Sequence, residues 1–102
     1  MSRVLVLGAG AIGQWLGGLL TCSGAEVLLL ARPPHLEALS SRGLQFEGSP
    51  VGLPVRVLSS LEDLTPDERC CDWLVLAVKT FAVEAALAEA RQAGLNPNRV
   101  LA

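Results

Sequence analysis

The 102-residue sequence is poor in several of the residue types on which chemistry is commonly built. It has one histidine, no tyrosine and one lysine, Lys79. A histidine-rich metal site is therefore excluded within the chain, and no metal site is expected. Its three cysteines, Cys22, Cys70 and Cys71, lack the C-x-x-C spacing of a zinc or redox site. Adjacent Cys70 and Cys71 read as thiols near the start of a strand. No excess of positive charge is present: the net charge is −2 and the pI is near 5.2. That balance argues against a nucleic-acid partner. No apolar run approaches the roughly 18 residues that would cross a bilayer. Gly8, Gly10 and Gly13 interrupt the N-terminal apolar stretch, which therefore does not read as a signal peptide. A cytoplasmic location with no membrane partner is the expectation.

What the chain has in quantity is aliphatic residues and glycine. Apolar residues make up 51% and charged residues 18%, as in a single α/β domain with a buried core. The organising stretch comes first. Val4-Leu5-Val6-Leu7 reads as a buried parallel strand, and Gly8-Ala9-Gly10-Ala11-Ile12-Gly13 follows at G-x-G-x-x-G spacing. A helical pattern then runs to about Cys22. In a dinucleotide-binding turn the first glycine permits the tight bend, and the second lets a pyrophosphate approach the backbone. The third lets helix and strand pack closely. The helix N-terminus offers unpaired N–H groups and a positive dipole end to that anion. Gly8 to Gly13 are thus candidate cofactor residues; the competing reading is a tight turn in some other α/β protein.

In the helix, Ile12, Leu16, Leu19 and Leu20 form the expected sheet-facing stripe, with Gly13 and Gly17 allowing close approach and Gly24 closing the C-terminus. Glu26–Leu30 reads as a second buried strand. Arg32 stands just past it, where an acidic residue would take an NAD ribose and an arginine suits a 2′-phosphate. A guanidinium can hold a phosphate with two parallel hydrogen bonds, so NADP(H) is the favoured cofactor; an ordinary solvated arginine is the alternative. Residues 35–41 suggest a short helix, with His35 at the adenosine end of the cofactor or simply at the surface. Leu44–Phe46 and Val55–Val57 alternate as half-exposed strands and suggest a hairpin or paired edge strands. Residues 61–68 read as a polar loop. Asp72–Val78 is a third buried strand, and Lys79 at its end falls where ligands sit in open α/β sheets. There it would approach a cofactor phosphate or a substrate carbonyl, unless it is merely solvated. Thr80 is positioned to cap a helix whose buried stripe is Val83, Ala86, Leu87 and Ala90. Residues 99–102 begin another buried strand, an odd end for a doubly wound sheet, so a fragment of a longer protein is expected.

Five stretches, Val6–Gly13, Leu29–Arg32, His35–Leu39, Arg42–Leu44 and Leu76–Phe81, resemble in matching order the N-terminal domain of ketopantoate reductases (2-dehydropantoate 2-reductases). The resemblance spans essentially the whole chain. It implies a Rossmann-type doubly wound, mostly parallel sheet with helices on both faces, residues 1–102 being the NADP-binding domain. The activity implied is NADPH-dependent reduction of ketopantoate to pantoate, toward pantothenate and coenzyme A, with a small 2-oxo acid as substrate. Carried across, Gly8, Ala9, Gly10, Ala11, Ile12 and Gly13 would hold the pyrophosphate and Arg32 the 2′-phosphate, with Lys79 close to the cofactor. The general acid and a helical catalytic domain would lie past Ala102, so the 102 residues should bind cofactor without turnover. A homodimer is left open. Ala82 departs from the polar residue often found there in relatives, which weakens inference about substrate contacts after Lys79. Two rival readings remain: reduction of a different 2-oxo acid, and a non-catalytic NAD(P)-sensing module.

Overall fold

A computed structural model describes residues 2–8, 10–31, 36–37, 39 and 55–101. Five strands, β1 (Arg3–Leu7), β2 (Glu26–Leu30), β3 (Arg56–Leu58), β4 (Trp73–Leu76) and β5 (Arg99–Leu101), form one sheet in the order β3-β2-β1-β4-β5. Every pair is parallel, with Val6 opposite Leu29 on one side and Val75 on the other. The chain winds outward from β1 through β2 to β3, then returns to place β4 on the other side of β1. That reversal between β1 and β4 is the topological switch point of a Rossmann-like α/β fold. β1 and β4 are continuous apolar runs because both sheet faces are covered at the centre.

Alternation along the strands sorts the core into two layers. Leu5, Leu7, Leu28, Leu74 and Leu76 face helix α2 (Val83–Gln92), which meets them with Val83, Ala86, Leu87 and the buried Ala90, the stripe the sequence predicts. Val4, Val6, Val27, Leu29 and Val75 face helix α1 (Ala11–Cys22). Both helices close in the same way. Gly24 donates to the Thr21 carbonyl and Ala25 to that of Leu20; Gly94 donates to Arg91 and Leu95 to Ala90. These are paired Schellman closures, each with its glycine at positive φ.

Five expectations need correction. In α1, Leu16 and Leu20 face the sheet but Ile12 and Leu19 do not, being 73% and 42% exposed. The helix settles on its glycines Gly13 and Gly17, both buried, and this rotates Ile12 and Leu19 up one flank. The strand expected at 55–57 lies at Arg56–Leu58 and pairs in parallel with β2; Leu44–Phe46, its supposed partner, lies outside the described residues. The stretch 61–68 is not merely a polar loop. A 3-10 turn at Leu61–Asp63, with Ser60 Oγ accepting the Glu62 N–H, buries Leu61 and Leu64 against the α2-side core. Thr80 does not cap α2: a 3-10 turn at Thr80–Ala82 intervenes, and the N-cap is Ala82. β5 is a strand as expected, but an exposed one at the sheet edge with β4 as its neighbour. Of the helix expected at 35–41, Leu36, Glu37 and Leu39 are helical, and the rest lies outside the described residues.

Polar ties fasten the 59–72 segment. The Arg3 guanidinium pairs with Glu26 and Asp67 and donates to the Asp67 carbonyl at 2.7 Å, while its backbone N–H donates to Asp72 Oδ2 at 2.7 Å. Hydrogen bonding to Glu26 and Asp67 raises its pKa above the ordinary value. Thr65 and Glu68 cap each other reciprocally: Thr65 N–H donates to Glu68 Oε1 at 3.0 Å, and Glu68 N–H to Thr65 Oγ1 at 3.2 Å. The Thr65 amide, helped by Arg56 Nε at 2.7 Å, holds the Glu68 carboxyl below its usual value of 4.5. A depressed folded-state pKa stabilises the fold above the ordinary carboxylate range, and that contribution fades as pH falls through the folded value. Glu68→Gln should therefore lower the melting temperature at neutral pH and flatten its decline below about pH 4.5, as read by melting curves across pH. Parallel acid limbs for the two proteins would contradict this.

Candidate functional site

The site begins where β1 ends. Gly8 has φ +109°, a conformation L side chains rarely adopt, and a methyl group there would overlap the Ala77 carbonyl oxygen. Gly13, one turn into α1, lies against the Gly8 carbonyl, and a methyl there would overlap that oxygen and touch Ala77 Cβ at 3.4 Å. These two glycines are required by packing within the chain. Gly10 is different. Its φ of −74° suits any residue, and a Cβ built on it meets nothing within 4 Å.

Gly10 is also the N-cap of α1, where serine, aspartate or asparagine would satisfy an amide of the first turn. No side chain does so here, and the first turn carries no acidic residue. The helix begins with its N–H groups and positive dipole end facing outward past a residue with no side chain. This bare turn fits an anionic group approaching the backbone, which a Cβ at Gly10 would obstruct. Ala11 and Ile12 belong to the same first turn, and the Ile12 side chain is exposed.

Beside the turn an open cleft of about 530 Å³ lies over the carboxyl ends of β1, β2 and β4. Its floor is Leu7, Gly8, Leu30 and Ala77, and Val78 and Lys79 form one lip. The side wall is α2, which presents Ala82, Ala85 and Ala86 before Glu89. Small side chains keep that wall back from the sheet. The cleft thus has apolar surfaces suited to a flat ring, a cation at one edge and an anion-binding helix end next to it.

The structure brings Gly8, Gly10, Gly13 and Lys79 to one end of the sheet. Ala9 and Arg32, together with His35, lie outside the described residues; Leu30, at the end of the strand leading to Arg32, is in the cleft floor. Glu89 is exposed to solvent and also borders the open cleft, at i+7 from Ala82 with Ala85 and Ala86 at i+3 and i+4. Among the described residues no helix is long and apolar enough to cross a membrane.

Comparison with known proteins gives consistent findings. The profile of the ketopantoate reductase PanE/ApbA family matches residues 4–102. A 2-dehydropantoate 2-reductase of Pyrococcus abyssi is 40% identical over 89 residues, which are 87% of this chain and 28% of that protein. The crystal structure of a PanE/ApbA family ketopantoate reductase from Ralstonia eutropha superposes with a TM-score of 0.73 at 29% identity, covering 89% of this chain and 30% of that one. The ternary structure of D-mandelate dehydrogenase with NADH and anilino(oxo)acetate superposes with a TM-score of 0.70 at 27% identity, over 88% of this chain and 29% of that one. The chain thus spans less than a third of the length of these relatives.

The two kinds of glycine should separate experimentally. Gly13→Ala is expected to lower stability by about 1–3 kcal/mol or more, as overpacking against backbone does. Gly10→Ala should cost under about 1 kcal/mol yet weaken dinucleotide binding about tenfold or more. Chemical denaturation and a binding titration on the two variants check this, and equal stability losses would contradict the assignment.

Proposed function

This chain belongs to the ketopantoate reductase PanE/ApbA family, and we propose that it is the NADP(H)-binding domain of a cytoplasmic enzyme that reduces 2-dehydropantoate to pantoate. The observation that carries the reading is the turn at Gly10, left open at an uncapped helix N-terminus beside the switch-point cleft. The backbone N–H groups of the Gly8–Gly13 turn, including Ala9, Ala11 and Ile12, would hold the pyrophosphate. Arg32 would take the 2′-phosphate through its planar fork. The apolar floor formed by Leu7 and Leu30 would receive the adenosine, with α2 behind it.

When bound, the nicotinamide supplies the hydride for the ketone carbon. The chain's own part is to fix orientation and electrostatics. Lys79, at the carboxyl end of β4, would lie against the cofactor beside the substrate site, its positive charge favouring the negative charge that grows on the carbonyl oxygen. A proton must reach that oxygen, and a general acid provides it. Lys79 is the only lysine in the sequence and is assigned here to the cofactor side. The acid is therefore assigned to a helical catalytic domain outside these residues, and the 102-residue chain alone should bind cofactor without reducing 2-dehydropantoate.

A second reading is favoured by the likeness to D-mandelate dehydrogenase, whose structure holds NADH and anilino(oxo)acetate. On that reading the chain serves a reductase of another 2-oxo acid, with NAD(H) accepted. Titrations with NADPH and NADH, repeated with Arg32→Ala, distinguish the two cofactor assignments. NADPH should bind more tightly, and the preference should fall about ten- to a hundredfold in Arg32→Ala, the worth of one or two charge-assisted hydrogen bonds. Equal affinity for the two in the native chain would remove Arg32 from the 2′-phosphate and favour the second reading.

A further inference from the structure

Among the described residues that line the cleft, Glu89 alone carries a side-chain hydrogen-bond acceptor. The others are aliphatic or glycine, apart from Lys79, whose ammonium only donates. Among the described residues nothing engages the Glu89 carboxylate: the ion pairs join Arg3 to Glu26 and Asp67, and Arg56 to Glu68. Its position does not serve the helix either. Glu89 lies in the last turn of α2, at the negative end of the helix dipole, where a carboxylate is mildly unfavourable.

Glu89 also marks a boundary. On one side is the apolar cleft, floored by Leu7 and Leu30 and walled by alanines. On the other, Glu89 lines a groove of about 340 Å³ together with Ser60, Glu62, Arg69 and Gln92, so the polar surface begins where the apolar wall ends. At 1.5 Å of rise per residue, Glu89 stands roughly 10 Å along α2 from Ala82, which leaves room for a nucleoside between them. A flat ring with one polar edge suits this arrangement, its faces against the leucines and alanines and its edge toward Glu89. Adenine is such a ring. It carries an exocyclic amine, a hydrogen-bond donor, on the edge remote from its sugar.

We propose that Glu89 selects the base of the bound dinucleotide, its carboxylate accepting a hydrogen bond from the exocyclic amine of adenine. The proposal rests on the reading of the cleft as the seat of the adenosine and adds the residue that discriminates the base. A carboxylate can only accept. A ring with an oxo group in place of the amine, as in hypoxanthine, would set oxygen against oxygen at the same point. A site made to pair with an N–H rejects the analogue that lacks it. The selection is independent of the 2′-phosphate, so it holds whether NADP(H) or NAD(H) is the cofactor.

Binding titrations of the 102-residue chain, followed by cofactor fluorescence, compare NADPH with its hypoxanthine analogue, which differs at that edge of the base. The native chain should bind NADPH about tenfold more tightly, as expected for one hydrogen bond to a charged group. Glu89→Ala should bind the two about equally. Glu89→Gln should do the same, because its amide can turn either its oxygen to the amine or its NH₂ to the oxo group. Arg32→Ala should weaken both together and leave their ratio unchanged, and NADH with its own hypoxanthine analogue should give the same ratio. Neither Glu89 variant should lower the melting temperature. Equal affinity for the two bases in the native chain, or a preference that survives in Glu89→Ala, would overturn the proposal and leave the cofactor reading standing. A lower melting temperature in Glu89→Gln would overturn it by giving the carboxylate a structural role. Failure of a folded chain to bind any of these dinucleotides would overturn it together with the reading on which it rests.

Discussion

Everything in this fold depends on how closely the start of α1 approaches the end of β1. The Gly13 Cα sits against the Gly8 carbonyl, and Gly8 itself sits against the Ala77 carbonyl at the end of β4. Neither contact leaves room for a methyl group. Three backbone segments, β1, α1 and the exit of β4, are thereby drawn together at one point, and a parallel sheet fixes their directions. The helix N-terminus then has to open over the carboxyl end of the central strand, at the place where the strand order reverses. A site for an anionic, partly flat ligand follows from that closure before any catalytic side chain is considered.

The same closure explains the asymmetry between the two sides of the sheet. Because α1 rests on glycines, its larger side chains are displaced to the flanks, leaving Leu16 and Leu20 toward the sheet and Ile12, Trp15 and Leu19 away from it. On the other face, α2 keeps ordinary amphipathic packing, while the small side chains of Ala82, Ala85 and Ala86 leave the space over Leu7 and Leu30 unfilled as a cleft. Small residues thus do two jobs: glycines bring α1 in, and alanines leave the cleft open. The segment from Ser60 to Cys71, pinned by Arg3 and by the mutual caps of Thr65 and Glu68, completes the α2-side layer with Leu61 and Leu64.

Much of this was legible in the sequence because the strongest signals are local. The uninterrupted apolar runs of β1, β2 and β4 could only be strands buried on both faces, and the glycine spacing marked the turn between the first of them and a helix. The orientation of α1 was not legible from hydrophobic periodicity, which weights Ile12 and Leu19 for their side chains and has no weight for a glycine that lets backbone meet backbone. The buried role of Leu61 and Leu64 was hidden by the charges around them, although the Ser60-x-x-Asp63 spacing signals a capped turn. Within the turn, the fingerprint spacing gives each glycine its own task, and the structure shows the packing demand at Gly8 and Gly13 and its absence at Gly10.

That distinction is the central claim, and amide chemical shifts test it most directly. On adding NADPH to the isotopically labelled chain, the backbone amides from Gly10 to Gly13 should show the largest shift changes, with Val78 and Lys79 following and β5 unaffected. Shift changes that avoid the Gly10–Gly13 amides in a folded protein, or that centre on another surface, would contradict the account and leave the open turn at Gly10 as architecture without a ligand.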